Sequence, residues 1–138
     1  MRRVHSWAIL LLPFLAASCA APPPLDAEAG DHLFAMYCAA CHGANARGDG
    51  FANEYLKVTA PDLTLIAARR HGQFSAPEIY KIIDGQSSDD YYAHRHMPVW
   101  GYDFYGDDED DQKAHQRASD RVNNLVAYLA RIQRPDPR

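Results

Sequence analysis

The run Cys38-Ala39-Ala40-Cys41-His42 concentrates more reactive chemistry than any other part of this chain. Two thiols at this spacing lie about one turn apart on one face of a helix. Both sulfurs can then reach the two vinyl groups of one porphyrin. The imidazole directly after the second thiol can turn to a central iron. A C-x-x-C-H run therefore reads as a c-type haem attachment. Two other chemistries use the same residue types. A thioredoxin-like dithiol needs βαβ patterning around it, and no alternating strand pattern is present. A zinc site needs a second ligand pair. The chain has 3 cysteines, one of them Cys19 near the N-terminus. His94 and His96 would complete a Cys2His2 set, so zinc stays open on spacing alone.

A haem iron held by one histidine takes a second axial ligand when it carries electrons. The methionines are Met1, Met36 and Met97. Met1 lies in the N-terminal segment. Met36 sits two residues before Cys38, on the attachment helix itself, and cannot reach the far face. Met97 is followed by Pro98, which stiffens the loop just beyond it. Met97 is the expected sixth ligand. His94 and His96 are its rivals, because neutral imidazole also binds iron well.

These residues need elements to hold them. Asp26 is a good N-cap with Glu28 in the first turn, so a first helix starts there. Gly30, Phe34, Tyr37, Cys38 and Cys41 recur at helical spacing and predict one continuous face. Gly43 offers a stop, and a Gly-rich polar loop follows. Pro61-Asp62 predicts a turn feeding a short helix. Ser75 and Glu78 make a capping box ahead of Ile79, Tyr80, Ile82 and Ile83, and Gly85 ends that helix. Residues 86–105 read as irregular. An acidic run from Asp107 to Asp111 reads as a solvated face. Val122, Leu125, Val126, Leu129 and Ile132 form the stripe of a final helix, stopped by Pro135. The expectation is an all-α domain with long loops.

The N-terminus reads as an export signal. Arg2 and Arg3 precede an apolar run from Trp7 to Ala17, then small residues. The run is shorter than the ~20 apolar residues of a membrane span. Residues 1–18 are therefore expected to be a signal peptide, 19–26 a Pro-rich linker and 27–134 the domain. Leu15-Ala16-Ala17-Ser18-Cys19 resembles a bacterial lipoprotein box, which predicts lipidation of Cys19; otherwise cleavage falls near Ala21. Either way the protein is expected to be exported to the periplasm.

The chain has 138 residues, 47% hydrophobic and 23% charged, a composition of one globular domain. Its formal net charge is -4. Loss of residues 1–18 would leave 12 Lys and Arg against 18 Asp and Glu, a net of −6. An acidic chain is a poor match for nucleic acid.

Taken together, the motifs resemble those of class I cytochromes c, of the small monohaem bacterial kind. Gly30, Phe34 and Cys38 have the spacing of that family's N-terminal helix. Leu125-Val126-Ala127-Tyr128-Leu129 resembles its C-terminal helix, with Tyr128 as the crossing aromatic. Pro61-Asp62-Leu63 resembles the element whose proline carbonyl accepts a hydrogen bond from the ligand histidine. Met97-Pro98-Val99-Trp100-Gly101 resembles the ligand loop. The departures are His94-Arg95-His96 and the acidic stretch from Asp103 to Asp111. The resemblance covers residues 27–134. It implies crossing terminal helices around one covalent haem c. The cofactor residues would be Cys38, Cys41, His42, Pro61, Leu63, Met97 and Trp100, with His42 and Met97 on the iron. Tyr55 and Arg95 would be further propionate partners, and Ile82 and Ile83 pocket lining. The implied function is single-electron transfer with redox partner proteins, which an acidic surface would select for a basic docking patch. A haem enzyme or sensor with an open sixth site is the alternative, as is a cytochrome subunit of a larger complex.

Overall fold

The computed structural model describes residues 25–85, 97–106 and 110–135. Regular structure among them is helical, with no strand. The α-helices are α1 (Ala27–Tyr37), α2 (Ala39–His42), α3 (Ala76–Asp84), α4 (Trp100–Asp103) and α5 (Asp111–Arg131). Tight 3₁₀ turns at Phe51–Tyr55, Leu63–Leu65 and Ala68–Arg70 fill the connection between α2 and α3. The predicted signal segment, Cys19, the His94-Arg95-His96 approach and Asp107, Asp108 and Glu109 lie outside the described residues. No helix among the described residues is long and apolar enough to cross a membrane.

Asp26 starts α1 by accepting from the backbone N–H groups of Glu28 and Ala29, at 2.9 and 3.0 Å. Its own N–H donates to Asn124 Oδ1 at 3.0 Å, which ties the cap to α5. The helix was expected to run unbroken to Cys41. Instead α1 ends at Tyr37 and α2 begins at Ala39, with Cys38 as the joint. The ladder survives the joint. Cys38 N donates to Phe34 O and His42 N to Cys38 O, both at 2.9 Å. The axis bends while the hydrogen bonding continues.

The central packing event is the crossing of α1 on α5. A Cβ at Gly30 would sit 2.7 Å from the Asn124 carbonyl carbon and 2.8 Å from Tyr128 Cβ. Only glycine permits that approach. One turn on, the Phe34 and Tyr128 rings meet with centroids 5.2 Å apart. Phe34, Val122 and Leu125 are at most 2% exposed and form the centre of the core. Ile79 and Ile83 of α3 complete it, whereas Ile82 points outward at 46% exposure.

Two local expectations change, and the end of the acidic run gains a role. Ser75 makes no side-chain cap. Glu78 instead takes the Arg70 guanidinium in a two-pronged pair at 2.7 and 2.8 Å. A charge-assisted fork is a stronger partner for a carboxylate than one backbone N–H. The segment read as irregular contains α4, whose four residues are too few to show a periodic pattern. The acidic run ends as a helix start. Asp110 caps α5 by accepting from Lys113 N at 3.1 Å, and Asp111 lies in the first turn. Acid at that end complements the helix dipole.

Candidate haem site

Cys38, Cys41 and His42 lie on the bend and on α2. Gly43 closes α2 with φ +80°, and the chain turns back toward it. Gly48 N donates to His42 O and Leu63 N to Ala46 O, both at 2.8 Å. The loop after the motif is thus folded against it.

Cys38 and Cys41 are free, half-buried thiols. Burial, with Cys41 close by, pushes the Cys38 thiol up to about 12. It is neutral S–H at ordinary pH. A redox dithiol needs the opposite, a lowered and reactive thiol, so this environment speaks against the thioredoxin-like reading. Among the described residues no three His, Cys, Asp or Glu side chains are grouped to hold a metal ion. His94 and His96, the second pair that a Cys2His2 zinc site would need, lie outside the described residues.

His42 is 8% exposed. Its Nδ1 lies 3.1 Å from Pro61 O. A carbonyl can only accept, so Nδ1 carries the proton and donates. Burial holds the ring below its ordinary pKa, and the Pro61 bond offsets part of that. The imidazole is then neutral, with a lone pair left on Nε2 for a metal.

Asn53 braces this pair. Its Nδ2 donates to Cys41 O at 3.0 Å and to Gly48 O at 2.7 Å. Its Oδ1 accepts from Ala60 N at 2.8 Å. One side chain joins the thiol segment to the residue before Pro61. Beyond Pro61, Asp62 Oδ1 accepts from Thr64 N and Thr64 Oγ1, at 2.8 and 2.6 Å. Partial burial pushes the Asp62 carboxyl up. The Thr64 bonds and the Arg134 and Arg69 charges outweigh it and leave the group below its ordinary value. Leu63 is half-buried against the core.

Met97 is half-buried just before α4. Trp100 stacks on Phe104 at 5.4 Å, and Tyr37 meets both rings edge-on at 5.6 and 5.2 Å. Arg121 lies over Phe104 at 5.7 Å. Tyr37 immediately precedes Cys38, so Trp100 and Phe104 are docked beside the thiol segment. Tyr55 is 78% exposed.

Two free thiols, a neutral buried imidazole with a fixed tautomer and a separate methionine loop form a donor set that fits covalent haem c. The family model for cytochrome c matches residues 27–133. The chain belongs to the cytochrome c family. This family carries covalent haem c with its iron. No curated protein and no solved structure gave a significant match. The all-α cytochrome c fold and the covalent haem expected from the motifs both stand. Asn53, Thr64, Gln133 and Arg134 escaped the motif reading. Their partners are mostly backbone atoms, which leave no trace in residue spacing.

Proposed function

We propose that this cytochrome c is a single-electron carrier with one haem held by Cys38 and Cys41 and ligated by His42 and Met97. Bound haem c supplies an Fe(III)/Fe(II) couple. The observation that carries the reading is the His42 Nδ1 to Pro61 O hydrogen bond at 3.1 Å. It fixes the tautomer, leaves Nε2 for the iron and raises the basicity of the ligand. The two cysteines hold the porphyrin, which keeps the cofactor in a small domain. Pro61 orients His42. Leu63 contributes apolar wall, and Trp100 seats the Met97 loop. A thioether on the far face stabilises ferrous iron relative to a second imidazole. Apolar walls limit solvent access and so limit the rearrangement that accompanies each electron.

Export places the protein in the periplasm, since residues 1–18 have the layout of a signal peptide and 19–26 of a linker. Lipidation of Cys19 would hold the carrier on the membrane surface, within reach of redox partners that present basic patches.

Intact mass and absorption of the purified full-length product test the reading together. One haem added to the polypeptide, and a further increment for acyl chains at Cys19, are expected. The ferric protein should show the far-red methionine-to-iron band, and Met97→Leu should abolish it. A mass equal to the bare polypeptide overturns the proposal. A high-spin spectrum that shifts with carbon monoxide would replace it with the open-site alternative.

A further inference from the structure

Two residues beyond the end of α5 are bonded into the segment that orients His42. Gln133 Nε2 donates to Leu63 O at 2.9 Å and to Leu129 O at 2.7 Å. Gln133 Oε1 accepts from Ala67 N at 2.9 Å. Arg134 N donates to Thr64 O at 2.8 Å. Arg134 Nε donates to Thr64 Oγ1 at 2.8 Å, and Nη2 to Asp62 Oδ2 at 3.2 Å. Every polar atom of the Gln133 amide is engaged. Thr64 is 4% exposed, and its hydroxyl sits between Arg134 and Asp62.

All of these bonds but the one to Leu129 O converge on residues 62–67, directly after Pro61. An ordinary helix end needs none of them. Lysine or arginine near a C-terminus commonly bonds the helix's own last carbonyls. Here one bond, to Leu129 O, does that, and the others go to a segment some 70 residues earlier in the chain. Pro61 itself contributes no N–H, so its carbonyl is steered by the residues around it. On the upstream side Asn53 holds Ala60 N. On the downstream side, among the described residues, the Ala46 carbonyl and the C-terminal pair reach the next turn.

We infer that Gln133 and Arg134 are positioning residues for the haem ligand, a clamp that holds the Pro61 carbonyl on His42 Nδ1 and so sets the reduction potential of the iron. This rests on His42 being that ligand. A firm Nδ1–H···O=C bond makes imidazole a stronger donor, which favours ferric iron and lowers the potential. A loosened clamp lengthens the bond, weakens the donor and raises the potential.

The test uses haem-loaded full-length protein and two charge-conserving variants, Gln133→Leu and Arg134→Lys. Conserved charge matters, since loss of a cation near the iron would itself lower the potential and mask the effect. Gln116→Leu, which conserves charge and breaks an exposed bond to Asp120 on α5, seventeen residues before Gln133, is the control for general loosening. Two quantities are read: the reduction potential, and the solvent exchange rate of the His42 Nδ1 proton in the diamagnetic ferrous protein. The clamp predicts a raised potential and exchange about tenfold faster or more in both variants, reflecting easier local opening. It predicts neither change in Gln116→Leu. If Gln133→Leu fails to mature, Arg134→Lys decides alone, since it retains the backbone bond and the charge. Wild-type values for both quantities in haem-loaded variants overturn the clamp, as does an equal response from Gln116→Leu. Wild-type protein with no haem on Cys38 and Cys41 overturns the carrier reading itself, and the clamp with it.

Discussion

Asn53 holds three backbone groups at once, and its removal cannot be repaired by a neighbour. Asn53→Ala would leave Cys41 O, Gly48 O and Ala60 N without this partner. A buried group left unsatisfied costs roughly 1–3 kcal/mol. Asn53 is only half-buried, so water recovers part of that. A loss of about 2 kcal/mol of unfolding free energy is expected, read as a lower denaturant midpoint at unchanged slope. Asp62 gives a pH-dependent counterpart. Its carboxyl is held below the ordinary value of 3.8. A depressed acid contributes stability that is present above 3.8 and lost as pH falls through the folded-state value. Asp62→Asn should therefore flatten the stability profile below about pH 4 and change its shape little near neutrality. An unchanged acid limb in the variant would show that other carboxylates govern it. At this scale the candidate haem residues Cys38, Cys41 and His42 could be named from the sequence, because the chemistry proposed for them depends on fixed spacing. Asn53, Thr64, Gln133 and Arg134 could not, because each is one polar residue whose meaning comes from chain segments folded against it.

Helix ends and crossings set the geometry those residues inherit. The α1–α5 crossing depends on the missing side chain at Gly30, where a methyl group would overlap the Asn124 carbonyl. Gly30→Ala forces the helices apart and disturbs the Phe34–Tyr128 contact. Overpacking of this kind costs typically about 1–3 kcal/mol. The expected result is a lower thermal midpoint with haem still attached, because Cys38 lies two turns further along. At the other end of the pair, Asp110 caps α5 from an exposed position. Asp110→Ala should cost about 1 kcal/mol, a usual figure for a lost N-cap. The crossing was legible because Gly30, Phe34 and Tyr128 repeat at helical intervals. The Ser75–Glu78 box was misread for a physical reason. Its acid has a better partner in Arg70, which only the fold brings near. The acidic run was read as a solvated face, and charge content alone did not show that its end, Asp110, caps α5.

Over the whole molecule, charge governs encounters more than architecture does. The chain carries a net -4, and loss of residues 1–18 would bring it to −6. Such a field attracts cations over a Debye length, about 30 Å at 0.01 M salt and about 10 Å at 0.1 M. Transient redox contacts are small, so long-range steering contributes much of their rate. Oxidation of the ferrous protein by a cationic cobalt(III) complex should therefore slow as salt rises over that range. Oxidation by ferricyanide should accelerate, because salt screens repulsion. Arg47 and Lys57 provide the counter-argument. They lie on the loop folded against the haem-attachment segment, and a small probe senses nearby charge more strongly than distant charge. If these local cations dominate, both slopes reverse, and the partner would present acid. Opposite salt slopes for the two probes, in the order stated, support a basic docking partner; reversed slopes reject it. Flat slopes would show that neither the net charge nor the local cations steer the exchange.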